Sequence, residues 1–234
     1  MHGVSRPRER VLPNGNLQII IDLAPRAKPS GQRTIVVGAR MRYEILESSA
    51  LDETLGVELR PGGFRALFGE RADLVFEQTV AIYTLWRDST IVEQLAEPAE
   101  PSHNLSVLEA LLGSRLRAGA GKSSLADRAI RYFRDERGTV AACARSVGVS
   151  ERRLSQAFRE QVGLAPKAWC RLRRFQSALR ALHSGTDIRW AELALACGYY
   201  DQAHFANEFR AFSGIDPTTY VRGRGAWQNH VAVD

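Results

Sequence analysis

Arg152, Ser155, Gln156 and Arg159 form one set of side chains able to reach base edges or phosphate oxygens; Gln202, His204, Ala206, Asn207 and Arg210 form another. Arginine forks onto guanine or a phosphate, glutamine and asparagine pair with adenine, and serine serves either. Leu154, Phe158 and Val162 recur at helical spacing around the first set. If they face inward, Glu151, Arg152, Ser155, Gln156 and Arg159 lie on the opposite surface. Phe205, Phe209 and Phe212 do the same for the second set. For a single helix the plain alternative is a solvated polar face; two such helices at a matched register favour recognition of a duplex. His204 has a second option, a hydrogen bond within its own domain, and Asp201 is placed to cap the helix that follows it.

The register comes from an internal repeat. Residues 140–166 and 190–217 align Gly148 with Gly198, Leu154 with Phe205, Phe158 with Phe209, Gly163 with Gly214 and Pro166 with Pro217. The first pair is 50 apart and the others 51, so the second copy carries one extra residue in its turn. Each copy reads as a short helix, a glycine turn, a longer helix and a Gly-x-x-Pro stop. Thr139 and Ser150 are the expected N-caps in the first copy. Val140, Ala141, Ala144 and Val147 supply the apolar face of its short helix, and Ile188, Ala191, Leu193 and Ala194 supply that of the second. A preceding helix over 123–137 packs Leu125, Ala129, Ile130 and Phe133 and is capped by Ser123 or Ser124. Between the copies, residues from Pro166 to Gly185 predict a helix of about 17 residues, spanning about 25 Å. Leu172, Phe175, Leu179 and Leu182 form its seam, with Arg171, Arg173, Arg174 and Arg180 around the rest. A spacer of this length suits two recognition helices in adjacent major-groove segments, about 34 Å apart.

Charge separates the chain into two halves. Residues 1–115 hold 13 Lys/Arg and 15 Asp/Glu, whereas residues 116–234 hold 19 and 11. A basic half beside a near-neutral one is the footprint of a nucleic-acid binder with a separate regulatory part. Lysine occurs only at Lys28, Lys122 and Lys167, so the cations are nearly all arginine. Cys143, Cys170 and Cys197 form no Cys-x-x-Cys pair, and the histidines show no metal-ligand spacing. Free thiols in a reducing cytoplasm, with Cys143 and Cys197 buried in the first helix of each repeat, are the expected state. With no long apolar run, no membrane span is expected.

The basic half resembles the DNA-binding domain of the AraC/XylS transcription regulators over about residues 120–224. The second repeat carries the most specific stretch: Ala194, Cys197, Gly198, Tyr199, Asp201, Gln202, His204, Phe205, Phe209, Arg210, Gly214, Pro217 and Tyr220 fit the family pattern. The resemblance implies two helix-turn-helix units joined by one helix. It implies base contacts from Arg152, Ser155 and Gln156 in the first unit and Gln202, Ala203, Ala206 and Asn207 in the second. Double-stranded DNA and RNA polymerase are the implied partners, with no cofactor. Tyr200 stands where the family commonly has serine or glutamate, and Asn207 where it often has arginine. Asparagine favours adenine, so the preferred sequence is shifted there. Ala203 and Ala206 offer only apolar contact, to a thymine methyl for instance.

Residues 1–100 read as β-rich. LQIIID (17–22), TIVVGAR (34–40), RYEIL (42–46) and TLGVELR (54–60) are the expected strands, with a loop at Pro25, Pro29 and Gly31 and a helical turn in FRALFG. The pattern suggests a small β-barrel or sandwich. ERVLPNG (9–15) and GVELRPGGFRALFG (56–69) are similar to a cupin-like sensor module that precedes some AraC-type domains, but the cupin metal histidines are missing, so no metal is expected. Candidate ligand contacts are Arg40, Tyr43, Arg60, Phe64, Tyr83 and Trp86; core packing is the competing role for each aromatic. Residues 103–117 read as a helix with Leu105, Leu108, Leu112 and Leu116 on one side, either a homodimer seam or packed on its own barrel. The expected architecture is α+β with two domains: a small cupin-like β-barrel over 1–100, a linker helix within 101–121 and an all-α tandem helix-turn-helix over 122–224.

A catalytic N-terminal half is not expected. Residues 1–115 contain no cysteine and only His2 and His103, too little for a thiol nucleophile or a metal cluster. Two readings of that half remain open: a module sensing a small-molecule effector, or a ligand-independent dimerisation or protein-interaction module.

Overall fold

Leu17, Ile19 and Ile21 are buried while the residues between them are only half covered, so the stretch forms a strand with one face against a core. The computed structural model describes residues 8–22, 34–47, 54–86, 101–117, 124–135, 138–185 and 188–233. The loop at Pro25, Pro29 and Gly31 lies outside the described residues. The chain divides into two compact units, each assembled from separated segments. One comprises residues 16–39 and 53–166, the other residues 1–15, 40–52 and 167–234.

In the first unit, β2 (Leu17–Asp22), β3 (Thr34–Val37), β5 (Thr54–Leu59) and β6 (Thr79–Ala81) make an antiparallel sheet in the order β5-β2-β3-β6. Its apolar face meets α1 (Gly63–Phe68) and α2 (Pro101–Arg117) around Ile19, Val36, Phe64, Leu67, Phe68, Ile82 and Trp86. On α2 the packed residues are Val107, Leu108, Leu111 and Leu112, while Leu105 and Leu116 are exposed. Part of the expected leucine stripe thus closes this core and its two ends face solvent. The same unit contains α3 (Leu125–Asp135), α4 (Val140–Ser146) and α5 (Glu151–Val162). Ser124 and Asp127 bond reciprocally at the start of α3, a box that satisfies two end groups at once. Ala126 is buried there with Ala129, Ile130 and Phe133, while Leu125 is half exposed. Phe133 meets Phe158 edge to face at 6.1 Å and ties α3 to α5.

In the second unit, β1 (Arg8–Val11) lies between β4 (Glu44–Glu47) and β7 (His230–Val233), both antiparallel to it. The helices are α6 (Pro166–Ser184), α7 (Trp190–Ala196), α8 (Gln202–Ser213) and α9 (Pro217–Gly223). Phe209 is the hub of their core: its ring is 5.2 Å from Phe175, 5.6 Å from Phe205 and 5.6 Å from Tyr220. Leu172, Phe175, Leu179 and Leu182 are buried along α6 as the spacing predicts. The segment after α9 folds back. Tyr220 donates to the Gln228 carbonyl, the Gln228 amide donates to Gln176, and Gln176 donates to the Pro13 carbonyl.

The β-rich region differs from the expected barrel. Among the described residues its strands form two open sheets, and closure into a barrel is not seen. The strand expected over 34–40 ends at Val37, and the one expected at 42–46 runs from Glu44 to Glu47 and pairs with β1 in the other sheet. A Cβ on Gly38 would collide with the Val75 backbone, which fixes glycine where the chain leaves the first sheet. Cys143 is buried in α4 as expected, but Cys197 is half-buried at the C-cap of α7; neither is in a disulfide. No helix among the described residues is long and apolar enough to cross a membrane.

Two outcomes follow for stability. Phe209→Ala should cost about 3–5 kcal/mol in urea unfolding, because it empties the hub of the aromatic core. Burial pushes the Tyr220 phenol up to about 12 and raises that of Tyr199 as well. Exposed tyrosines in the unfolded chain titrate near ~10, so the unfolded chain releases its protons first. The stability held by these phenols is whole below pH ~10 and is lost as pH climbs through the folded values. Thermal midpoints recorded by circular dichroism should fall above pH ~10, and less steeply in Tyr199→Phe.

Candidate nucleic-acid interface

Each helix-turn-helix is built by the same backbone contacts. In the first, Gly148 turns with φ 77° and the Val149 N–H donates to Ala144 O at 3.0 Å. In the second, Gly198 turns with φ 83° and the Tyr199 N–H donates to Ala194 O at 2.9 Å. Ser150 then caps α5 by accepting from the Arg153 N–H, and Asp201 caps α8 by accepting from the His204 N–H at 2.7 Å. Thr139 caps α4 in the same way, as expected, whereas α7 starts at Arg189 with no side-chain cap. Leu154, Ala157, Phe158 and Val162 are buried on α5; Phe205, Phe209, Phe212 and Ser213 are buried on α8.

That burial leaves the candidate faces outward. On α5, Arg152, Gln156 and Arg159 are exposed and Ser155 is half exposed. On α8, Gln202, Ala203, Asn207 and Arg210 are exposed and Ala206 is half exposed. Gln156 has an internal partner, its amide donating to Glu160 Oε1 at 2.9 Å. His204 takes the internal option, its ring Nδ1 accepting from the Tyr200 N–H at 3.3 Å. Tyr200 itself is 85% exposed.

The C-terminal ends of both helices are held by the β-rich segments of their own units. Gln161 O, in the last turn of α5, accepts from the Gly62 N–H at 3.0 Å. At the end of α8, Phe212 O accepts from the Tyr43 N–H at 2.9 Å, and Ser213 O accepts from Arg10 Nη1 at 3.0 Å. The Arg10 guanidinium also lies 4.1 Å from the Tyr43 ring centre. Gly163 and Gly214, the C-caps with φ 83° and 73°, sit against these segments: a Cβ on Gly163 would be 3.3 Å from Ala72 O, and one on Gly214 would run into the Tyr43 ring.

Glu208 went unnoticed in the sequence. It occupies the place in α8 that Ala157 has in α5, and it pairs with Arg171 at 2.6 Å and Arg174 at 3.4 Å. Arg174 also lies over the Tyr199 ring at 5.5 Å. Arg174 is thus an internal partner of Glu208. Tyr199, the buried aromatic of the turn, is pushed up in pKa by its burial.

The six candidate ligand contacts differ in exposure and in partners. Phe64 is fully buried against Phe68, and Trp86 is buried with its Nε1–H donating to Leu67 O at 3.0 Å. Arg60 and Tyr83 are exposed, Arg40 pairs with Glu44 at 3.3 Å, and Tyr43 serves the end of α8.

Residues 143–223 match the family profile of a helix-turn-helix domain, and residues 2–81 match that of a domain of unknown function (DUF6597). The chain is 30% identical over 102 residues to the arabinose operon regulatory protein of Escherichia coli, covering 44% of this chain and 35% of that one. It is 31% identical over 122 residues to the uncharacterized HTH-type transcriptional regulator YijO of the same organism, covering 50% and 42%. The chain thus spans less than half the length of the curated relatives it matches. Among solved structures, the C-terminal domain of AraT, a response regulator from Geobacillus stearothermophilus, is similar at 25% identity with a TM-score of 0.41, covering 46% of this chain and 92% of that one. ToxT from Vibrio cholerae O395 aligns at 12% identity with a TM-score of 0.45, over 93% and 89%. The two matched helix-turn-helix units, with their outward polar faces, fall largely within the residues that match the helix-turn-helix profile, in the half of the chain that resembles the DNA-binding domain of the AraC/XylS regulators.

Proposed function

We propose that the protein is a sequence-specific transcription regulator in which α5 and α8 each read a major-groove segment of double-stranded DNA. The observation that carries this reading is the matched pair of outward faces, Arg152, Ser155, Gln156 and Arg159 on α5 and Gln202, Ala203, Ala206, Asn207 and Arg210 on α8, behind turns with the same bonds. Arginines and helix N-termini hold phosphates and set the register; the exposed early positions supply the base contacts. Recruitment of RNA polymerase at a promoter completes the reading.

The β-rich part is proposed as the regulatory module. In each unit its donors hold carbonyls in the last turn of that unit's recognition helix, so a shift in their conformation changes how that helix is presented. A small-molecule effector preferring one conformation would act through that hold. Arg40, Tyr43, Arg60 and Tyr83 are the surface-accessible candidates to contact it. The ligand-independent alternative, dimerisation or binding of another protein, is favoured by Phe64 and Trp86 filling the core instead of lining a cavity.

Selection from a random DNA library with the purified full chain tests the main reading. A site with two short blocks about one helical turn apart is expected, and absence of any enriched sequence would count against it. Arg152→Ala should weaken specific binding by about 1–3 kcal/mol and blur one base position; an unchanged sequence preference would remove Arg152 from the interface. Thermal shift against a metabolite library separates the two regulatory readings. A true effector at 100 times its Kd adds about 2.7 kcal/mol, and no shift with any compound favours the ligand-independent module.

A further inference from the structure

The turn of the second repeat is one residue longer than that of the first, and the backbone bonds identify the added residue. Val149 and Tyr199 occupy equivalent places, each donating to the alanine carbonyl five residues back. Ser150 and Asp201 are equivalent again, each capping its recognition helix. Tyr200 stands between the matched pairs of the second unit and has no counterpart in the first. Its backbone N–H is fixed by the His204 ring, so its place in the turn is held. Its side chain is 85% exposed, the most exposed large hydrophobic side chain among the described residues.

Scattered exposed apolar side chains are ordinary, so exposure alone decides nothing; the position does. Tyr200 immediately precedes the N-cap of α8, at the end that displays Gln202, Ala203 and Ala206. Arg152 and Ser155 fill the places on α5 that Ala203 and Ala206 fill on α8. Two methyl side chains let the start of α8 lie close to the bases but leave it with little reach. A ring carried by the residue just before the N-cap would add contact surface at that end, and an aromatic or methyl-bearing side chain reads the one apolar group of the major groove, the thymine 5-methyl.

We propose that Tyr200 is a specificity-determining residue of the second unit, with its ring set against the 5-methyl group of a thymine beside the base pair that Ala203 faces. The proposal rests on the reading of α5 and α8 as DNA-recognition helices. The contact is made by the ring, so the hydroxyl is dispensable to it.

The test uses the full chain and its selected DNA site, with each thymine of the second block replaced in turn by deoxyuridine, which lacks the methyl. One replacement should weaken wild-type binding about fivefold. Tyr200→Ala should weaken binding to the thymine site by the same factor and lose its sensitivity to that replacement, while Tyr200→Phe should behave as wild type. An unchanged unfolding midpoint confirms that the variants are folded. Wild-type affinity in Tyr200→Ala, retained sensitivity of that variant to every replacement, or equal weakening on all sequences including non-specific duplex would each overturn the contact. In those cases a loss of specific binding in Arg152→Ala would still leave the recognition reading standing. A wild-type protein that enriches no site would overturn both.

Discussion

A recognition helix must end somewhere, and its last turn leaves carbonyls with no partner inside the helix. In this protein those carbonyls are met by the β-rich segments: Gly62 at the end of α5, and Tyr43 with Arg10 at the end of α8. Arg10 adds a positive charge where the helix dipole is negative. Gly163 and Gly214 then let the chain turn left-handed, and any added methyl would push the supporting segment away. The C-terminal end of each helix is therefore held by β-rich residues, while the side chains of its candidate face are exposed or half exposed.

This dependence explains why the two compact units are discontinuous in sequence. Each pairs one helix-turn-helix with β-rich segments from earlier in the chain. Residues 16–39 and 53–86 supply the sheet and α1 of the unit that holds α5, while β1 and β4 stand with α8. A sequence reading that divides neutral N-terminal residues from basic C-terminal ones follows charge, and charge reports on partners rather than on packing.

The helices were legible for local reasons. Glycine turns, Ser and Asp caps and phenylalanines at helical spacing are written within a few residues of one another, so α4, α5, α8 and the seam of α6 follow from the pattern. β1 and β7 were not legible. Arg8–Val11 has too little apolar alternation to read as a strand, and its partners lie at Glu44–Glu47 and at His230–Val233, more than 200 residues away in the second case. Only the antiparallel pairing turns such polar stretches into strands. The leucine helix was half legible: its periodicity placed the helix, but the sheet and α1 selected Val107, Leu108, Leu111 and Leu112 as the packed side. On the recognition faces the candidate residues could be placed from sequence, but their internal partners could not, because the bonds of Gln156 to Glu160 and of Glu208 to Arg171 depend on side-chain geometry.

Those internal partners make the two units unequal. At the place where α5 buries Ala157, α8 carries Glu208, which draws Arg171 and Arg174 inward. Two cations on α6 are thereby partly neutralised beside the second unit, and α8 itself offers Ala203 and Ala206 where α5 offers Arg152 and Ser155. A charged side chain gains from phosphates whatever the sequence, whereas an alanine or an aromatic ring gains mainly where its contact surface fits a particular base step. If α5 and α8 read DNA as proposed, the first unit would hold the duplex and read it by hydrogen bonds. The second would then add methyl contact to the hydrogen bonds open to Gln202 and Asn207, and with alanine in place of Arg152 its contribution would depend more on the matching sequence being present.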